Sequence, residues 1–265
     1  MKAETFLTTH RIFTRDELTR GLQGRGVSAA TVSSHLARWR RQGRIAAVKR
    51  GLFVRVDEGD GTHGPPPDYL ALASRIAPDA ALAYHTALEA HGLAQSTFEQ
   101  LTYATWTSTR GLEFQGRRFV PVRPRAPLRR HDHGERWIER LDRAGMEVRV
   151  TTVERTVVDV LDRLDLAGGV HEVWRSLGAV AALDPVALED YVRVLGSRTL
   201  AAKVGFYLES RQETLVVPGP TLERLEAATP RAPVFMDRAL GGRLVRRWSL
   251  IVPDDLTPPD AEVSA

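Results

Sequence analysis

Apolar residues near the start of the chain recur at helical spacing and then change period. Residues 3–9 predict a short first helix with Phe6 and Leu7 facing a core. Thr14 and Glu17 form a Thr-x-x-Glu capping box, and Leu18 and Leu22 give a second helix its apolar stripe until Gly24-Arg25-Gly26 breaks it. Ser28 is placed to cap a third helix running to about Gln42, where Gly43 supplies the left-handed residue that ends it. Along that helix Val32, Leu36 and Trp39 face inward, leaving Thr31, Ser34, His35, Arg38 and Arg41 on the other surface. Ile45–Val48, the turn Lys49-Arg50-Gly51 and Leu52–Val54 then read as a short hairpin with a basic tip.

Beyond residue 67 the pattern mixes periods. Residues 68–77 predict a helix carrying Leu70, Leu72, Ala73 and Ile76, and residues 80–91 predict a second, ending at Gly92. Tyr84, His85 and His91 fall on that apolar helix, where buried side chains are expected. Alternation over residues 100–107 predicts a strand, residues 112–123 a hairpin around Gly116, and Met146–Val150 another strand. A second capping box, Thr151-x-x-Glu154, opens a helix with Val153, Val157, Val160, Leu161 and Leu164 inward, stopped by Gly168-Gly169. Helices follow over Val170–Leu177, over Pro185–Leu195 behind an Asp184 cap, and over Arg198–Ser210 behind a Ser197 cap. Leu244–Val252 reads as a closing strand.

Charge sharpens this division. Residues 1–55 hold twelve Lys or Arg against three acids, a net of +9, while the other 210 residues hold 25 basic and 30 acidic side chains, a net of −5. The whole-chain figure of +4 conceals that asymmetry. Hydrophobic residues at 43% and charged residues at 26% exclude a disordered, collagenous or coiled-coil chain. Between the two parts, residues 57–67 lack core-forming side chains and end in Pro65-Pro66-Pro67, the mark of a solvated linker. The expected organisation is therefore a head at 1–56, a linker at 57–67, a body at 68–256 and a loose tail at 257–265. The expected fold class is α+β: an N-terminal winged helix-turn-helix followed by a mainly helical α+β C-terminal domain.

A winged helix-turn-helix with a basic surface points to double-stranded DNA. Small polar residues early on the third helix permit close approach to base edges in the major groove, and arginines farther along and at the hairpin tip meet flanking phosphates. Ser28, Thr31, Ser34, His35 and Arg38 are the candidates for groove contact; Arg25, Arg41, Lys49 and Arg50 are the candidates for backbone contact. Trp39 belongs to the core rather than to a stacking platform.

The body presents no catalytic constellation. It has no Gly-x-Ser-x-Gly elbow, no glycine-rich phosphate loop and no His-Glu-x-x-His, so no cofactor or catalytic residue is expected. His131-Asp132-His133-Gly134-Glu135 has metal-ligand residue types without the i, i+4 histidine spacing, and an exposed loop is the simpler expectation. A restriction-type nuclease needs an acid two residues before a lysine; Lys203, the only lysine of the body, follows Leu200-Ala201-Ala202. Arg155 and Asp159 form an i, i+4 pair that needs no chemistry to explain it. The chain contains no cysteine, which removes disulfides, thiol nucleophiles and cysteine metal sites and fits a reducing cytoplasm. No apolar run approaches membrane-spanning length, and the start of the chain lacks a signal-peptide core, so a cytoplasmic protein without a membrane partner is expected.

Three body segments carry a likeness: Ala83-Tyr84-His85-Thr86-Ala87-Leu88-Glu89-Ala90-His91-Gly92-Leu93; Glu154-Arg155-Thr156-Val157-Val158-Asp159 with Leu166-Ala167-Gly168-Gly169; and Lys203-Val204-Gly205-Phe206-Tyr207-Leu208-Glu209. With the basic head and the ending Trp248-Ser249-Leu250-Ile251-Val252-Pro253, the chain resembles the AbiEi antitoxin family of type IV toxin–antitoxin, abortive-infection systems over about residues 3–256. That resemblance implies a non-enzymatic transcriptional autorepressor binding inverted repeats in its own promoter and countering a nucleotidyltransferase toxin of the AbiEii family. Two rivals stand beside it: a stand-alone regulator whose body senses a small ligand, and a metal-dependent nuclease targeted by the head.

Overall fold

The computed structural model describes residues 1–22, 27–57, 66–132, 134–143 and 145–256. The fold is α+β.

Six elements make the head: α1 (Ala3–Thr9), β1 (Ile12–Thr14), α2 (Arg15–Leu22), α3 (Ala29–Arg41), β2 (Ile45–Lys49) and β3 (Leu52–Arg55). The reciprocal box predicted at the start of α2 forms: the Thr14 amide donates to Glu17 Oε2 at 2.7 Å, and the Glu17 amide donates to Thr14 Oγ1 at 3.2 Å. Ser28 caps α3 by accepting from the Thr31 amide at 3.2 Å. Gly43 has φ 68°, a conformation that a side chain would disfavour, and turns the chain from α3 into β2. The strand β1 was not anticipated. It is three residues long, too short for alternation to reveal, and antiparallel pairing with β3 sets it (Ile12 opposite Val54), giving a sheet of order β1-β3-β2.

The body opens with α4 (Tyr69–Ala73), β4 (Ala81–Leu82), α5 (His85–Ala90), β5 (Gln100–Ala104), β6 (Leu112–Phe114), β7 (Arg117–Val122), β8 (Ile138–Arg143) and β9 (Met146–Thr151). Its strands form one mixed six-stranded sheet, β6-β7-β5-β4-β9-β8. Helices α6 (Val153–Asp162), α7 (Val170–Gly178), α8 (Pro185–Leu195), α9 (Arg198–Ser210), α10 (Gln212–Leu215) and α11 (Gly219–Ala227) follow. A small sheet of β10 (Val234–Phe235), β11 (Arg243–Val245) and β12 (Leu250–Val252) ends the described chain. Trp248, fully buried, lies on α9 at Gly205, where even a Cβ would meet the indole ring at 2.0 Å.

Several expectations need correction. The helix expected over 80–91 is a strand and a shorter helix, because β4 is held between β5 and β9 and Tyr84 takes φ 56° at the junction. Alanine-rich composition favours a helix, but the small side chains of this run also suit a strand buried in mid-sheet, and tertiary context decides. The helix expected over 68–77 shortens to α4, with the Asp68 carboxylate accepting from the Leu70 and Ala71 amides at 3.0 Å. The cap of α6 is Thr152, not Thr151: Thr151 ends β9 and turns its hydroxyl inward to Thr156 at 2.7 Å. The expected closing strand breaks at Arg246–Trp248, leaving β11 and β12 antiparallel to each other. Polar β8 and helices α10 and α11 were not anticipated.

Head and body share apolar contacts. Ile12, Leu52 and Val54 of the head's sheet lie in one cluster with Leu70, Ile76 and Val150 of the body. Full burial of such side chains contributes roughly 1.5–3 kcal/mol each. Polar ties join them: Arg75 pairs with Glu17 and Lys49 Nζ donates to the Ile76 carbonyl, while Arg11 donates to the Pro66 carbonyl at the end of the linker at 3.2 Å.

Candidate nucleic-acid interface

Helix α3 buries one stripe and exposes the rest. Val32 and Trp39 are completely buried and Leu36 nearly so, while Ser28, Thr31, Ser34, Arg38 and Arg41 are exposed and His35 half-buried. At 100° per residue the uncovered surface has two flanks. One flank faces α1. There Arg38 pairs with Glu4 at 3.3 Å and lies 3.1 Å from His35 Nδ1, and Trp39 Nε1 donates to Glu4 at 3.2 Å. Arg44 completes this cluster with a 2.8 Å contact to Glu4, whose carboxyl is held below its ordinary pKa by the hydrogen bonds from Arg44 and Trp39.

The other flank faces α2 and the β2–β3 turn. Arg15 donates to Ser33 Oγ at 2.5 Å, and Arg40 projects into a groove of about 860 Å³. Arg15, Asp16, Lys49, Arg50 and the body's Arg75 line the same groove. Five cations thus face one acid. Among the described residues the side chains of Arg40, Arg41 and Arg50 have no hydrogen-bonded or ion-paired partner. Burial raises the pKa of Glu17, but the Thr14 amide and the Arg75 guanidinium outweigh it, so the carboxylate stays ionised below the usual range.

The nine residues singled out from sequence therefore do not form one set. Ser34 and Arg41 lie on the outward surface of α3, with the Ser34 hydroxyl donating to the Ala30 carbonyl at 3.0 Å. Ser28 and Thr31 lie at its N-terminal end, their hydroxyls 3.1 Å apart. His35 and Arg38 belong to the α1 flank, and Lys49 and Arg50 to the groove. Arg25 lies outside the described residues. Sequence reasoning missed Arg15, Arg40 and Arg75. The helical period contains the signal for Arg40, seven residues after Ser33; nothing in the sequence places Arg75, outside the basic head, beside them.

Inside the body, several charged groups are buried and paired. Arg155 Nε donates to Asp159 at 3.1 Å, and Tyr191 donates to the other Asp159 oxygen at 2.7 Å. Burial raises the Asp159 and Tyr191 pKa values. Lys203 donates to the Leu161 carbonyl at 2.9 Å, and its pKa is lowered by burial. Buried His85 stacks on Phe98 with ring centroids 3.7 Å apart, its Nδ1 3.1 Å from Glu89 and its Nε2 3.6 Å from Glu172. His91, also expected to be buried, bonds the Thr151 carbonyl at 2.7 Å through Nε2. Among the described residues no group of three or more His, Asp or Glu is arranged to hold a metal ion. His133 and the side chain of His131 lie outside those residues.

The class this architecture defines is an α+β protein with a small basic head docked on a mixed-sheet and helical body. A solved structure of the same overall fold is the RV2827C protein from Mycobacterium tuberculosis, with a TM-score of 0.62 over 98% of this chain and 92% of that one. The two sequences are 16% identical, so the likeness is one of fold. No protein-family model and no curated protein matches the chain. Among the described residues no helix is long and apolar enough to cross a membrane.

Proposed function

We propose that residues 1–56 are a winged helix-turn-helix binding double-stranded DNA, with α3 in the major groove and the β2–β3 turn as the wing. The observation that carries this reading is the pairing of an exposed polar α3 surface with a groove of cations in which Arg40 and Arg50 have no partner among the described residues. Clustered guanidinium groups left in water repel one another, and a phosphate backbone relieves that repulsion while releasing counterions.

The chain as a whole is read as a transcriptional autorepressor and antitoxin of AbiE type. It would bind inverted repeats upstream of its own gene and counter an AbiEii-like nucleotidyltransferase. The likeness in Ala83–Leu93, Glu154–Asp159 with Leu166–Gly169, and Lys203–Glu209 supports this. Those segments hold buried residues such as His85, Arg155, Asp159 and Lys203, which build a scaffold. Gel shift with the DNA upstream of the gene tests the repressor: a retarded band at concentrations that leave unrelated DNA unbound is expected, and equal binding to both removes the operator claim. Co-expression with a neighbouring nucleotidyltransferase tests the antitoxin; unrescued growth removes that part alone.

A ligand-sensing regulator is favoured by one observation. A cavity of about 480 Å³ lies where head meets body, lined by Arg11, Tyr69, Phe98, Arg117 and Arg143. A ligand there would bias how the head sits.

A further inference from the structure

The basic groove is not a property of the head alone. Arg75 and Ile76, which follow α4 in the body, line it together with Arg15, Arg40, Lys49 and Arg50. We infer that Arg75 is a phosphate ligand, and that a duplex seated on α3 runs one backbone through this groove so that head and body grip it together. This rests on the DNA reading above and adds to it a contact from outside the winged module.

Three observations carry it. First, the groove's lining is strongly positive, with Asp16 the only acid among the described residues that line it, and its volume far exceeds that of one phosphate group. Second, Arg75 already binds an anion, the Glu17 carboxylate, with its terminal guanidinium nitrogen. A phosphate oxygen uses the same donors, so a backbone phosphate would share or displace that carboxylate without new geometry. Third, Arg75 is fixed relative to α3. The Ile12, Leu52 and Val54 cluster and the Lys49 bond to Ile76 hold the head against the residues around Arg75, so little ordering remains to be done on binding.

An alternative role for Arg75 is a clamp that only holds Glu17, and the two roles separate experimentally. The full-length chain is titrated with a fluorescent duplex of arbitrary sequence over a series of salt concentrations, alongside Arg75→Gln, Arg75→Lys and Glu17→Gln. A phosphate ligand contributes about 0.9 to the slope of log affinity against log salt, so Arg75→Gln is expected to flatten the slope by about that amount and Arg75→Lys to retain it. Glu17→Gln breaks the same ion pair but keeps a capping-box side chain and adds positive charge to the groove. It is expected to bind DNA at least as tightly as the unaltered chain. Equal weakening by Arg75→Gln and Glu17→Gln, or an unchanged slope in Arg75→Gln, overturns the assignment. No binding by the unaltered chain at low salt instead overturns the DNA reading and the groove with it.

Discussion

Arg155 lies on α6 with its guanidinium buried, 3.1 Å from Asp159 and beside the Tyr191 ring, whereas Arg40, Arg41 and Arg50 stand in solvent with no partner among the described residues. One residue type does opposite work in the two regions. Among the described residues of the body, the buried Arg155, Asp159, Glu172, Glu189, Lys203 and Arg211 each meet an opposing charge or a backbone carbonyl. Along the groove of the head Arg40 and Arg50 have no such partner among the described residues, so their attraction is available to something else. Charge counted along the chain cannot make that distinction. Partnering in three dimensions can.

The contrast breaks most visibly at Asp159. Removing it as Asp159→Ala leaves Arg155 buried without its counter-ion, a loss of about 3–5 kcal/mol expected in denaturant unfolding. Arg41→Ala, on the exposed surface, is expected to change the same midpoint by no more than about 0.5 kcal/mol. Similar losses at both positions would erase the difference between the regions. Ser28 sharpens the contrast within α3, since it serves both as cap and as candidate contact. Ser28→Ala is expected to cost about 1 kcal/mol of stability, while Ser28→Asp keeps the cap and sets a negative charge where DNA would lie. If Ser28→Asp binds DNA as well as Ser28→Ala, the N-terminal end of α3 is not at the interface.

A smaller effect concerns the tie between the regions. The folded pKa of Glu17 is depressed, so its contribution is present above the ordinary glutamate value near 4.3 and is lost as pH falls through the folded value. Acid unfolding of the unaltered chain should therefore steepen below about pH 4 relative to Glu17→Gln. Identical acid profiles would remove Glu17 from the account.

Local signals were legible where they were complete within a few residues. The Thr14–Glu17 box, the Ser28, Asp184 and Ser197 caps, and the limits of α8 and α9 all read directly from sequence, because a cap and its helix are neighbours. What failed depended on partners that the local hydrophobic pattern does not identify. Strand β4 exists because β5 and β9 flank it, β8 because it pairs with β9, and the inward turn of Thr151 because Thr156 receives it. The interface shows the same limit. Sequence marked the exposed residues of α3 but not that Arg38 turns to Glu4, that Lys49 bonds the body, or that Arg75 joins the groove.

The proposal that Arg40, Arg41 and Arg50, which have no partner among the described residues, are phosphate ligands rests on electrostatics. Its most direct test is the salt dependence of duplex binding by the full chain and by the triple variant Arg40→Ala, Arg41→Ala, Arg50→Ala, measured with their unfolding midpoints. Steep weakening with salt is expected for the unaltered chain, with the slope falling by roughly 2.7 in the variant at nearly unchanged stability. Binding that ignores salt, or a variant that binds with the unaltered slope, would contradict it.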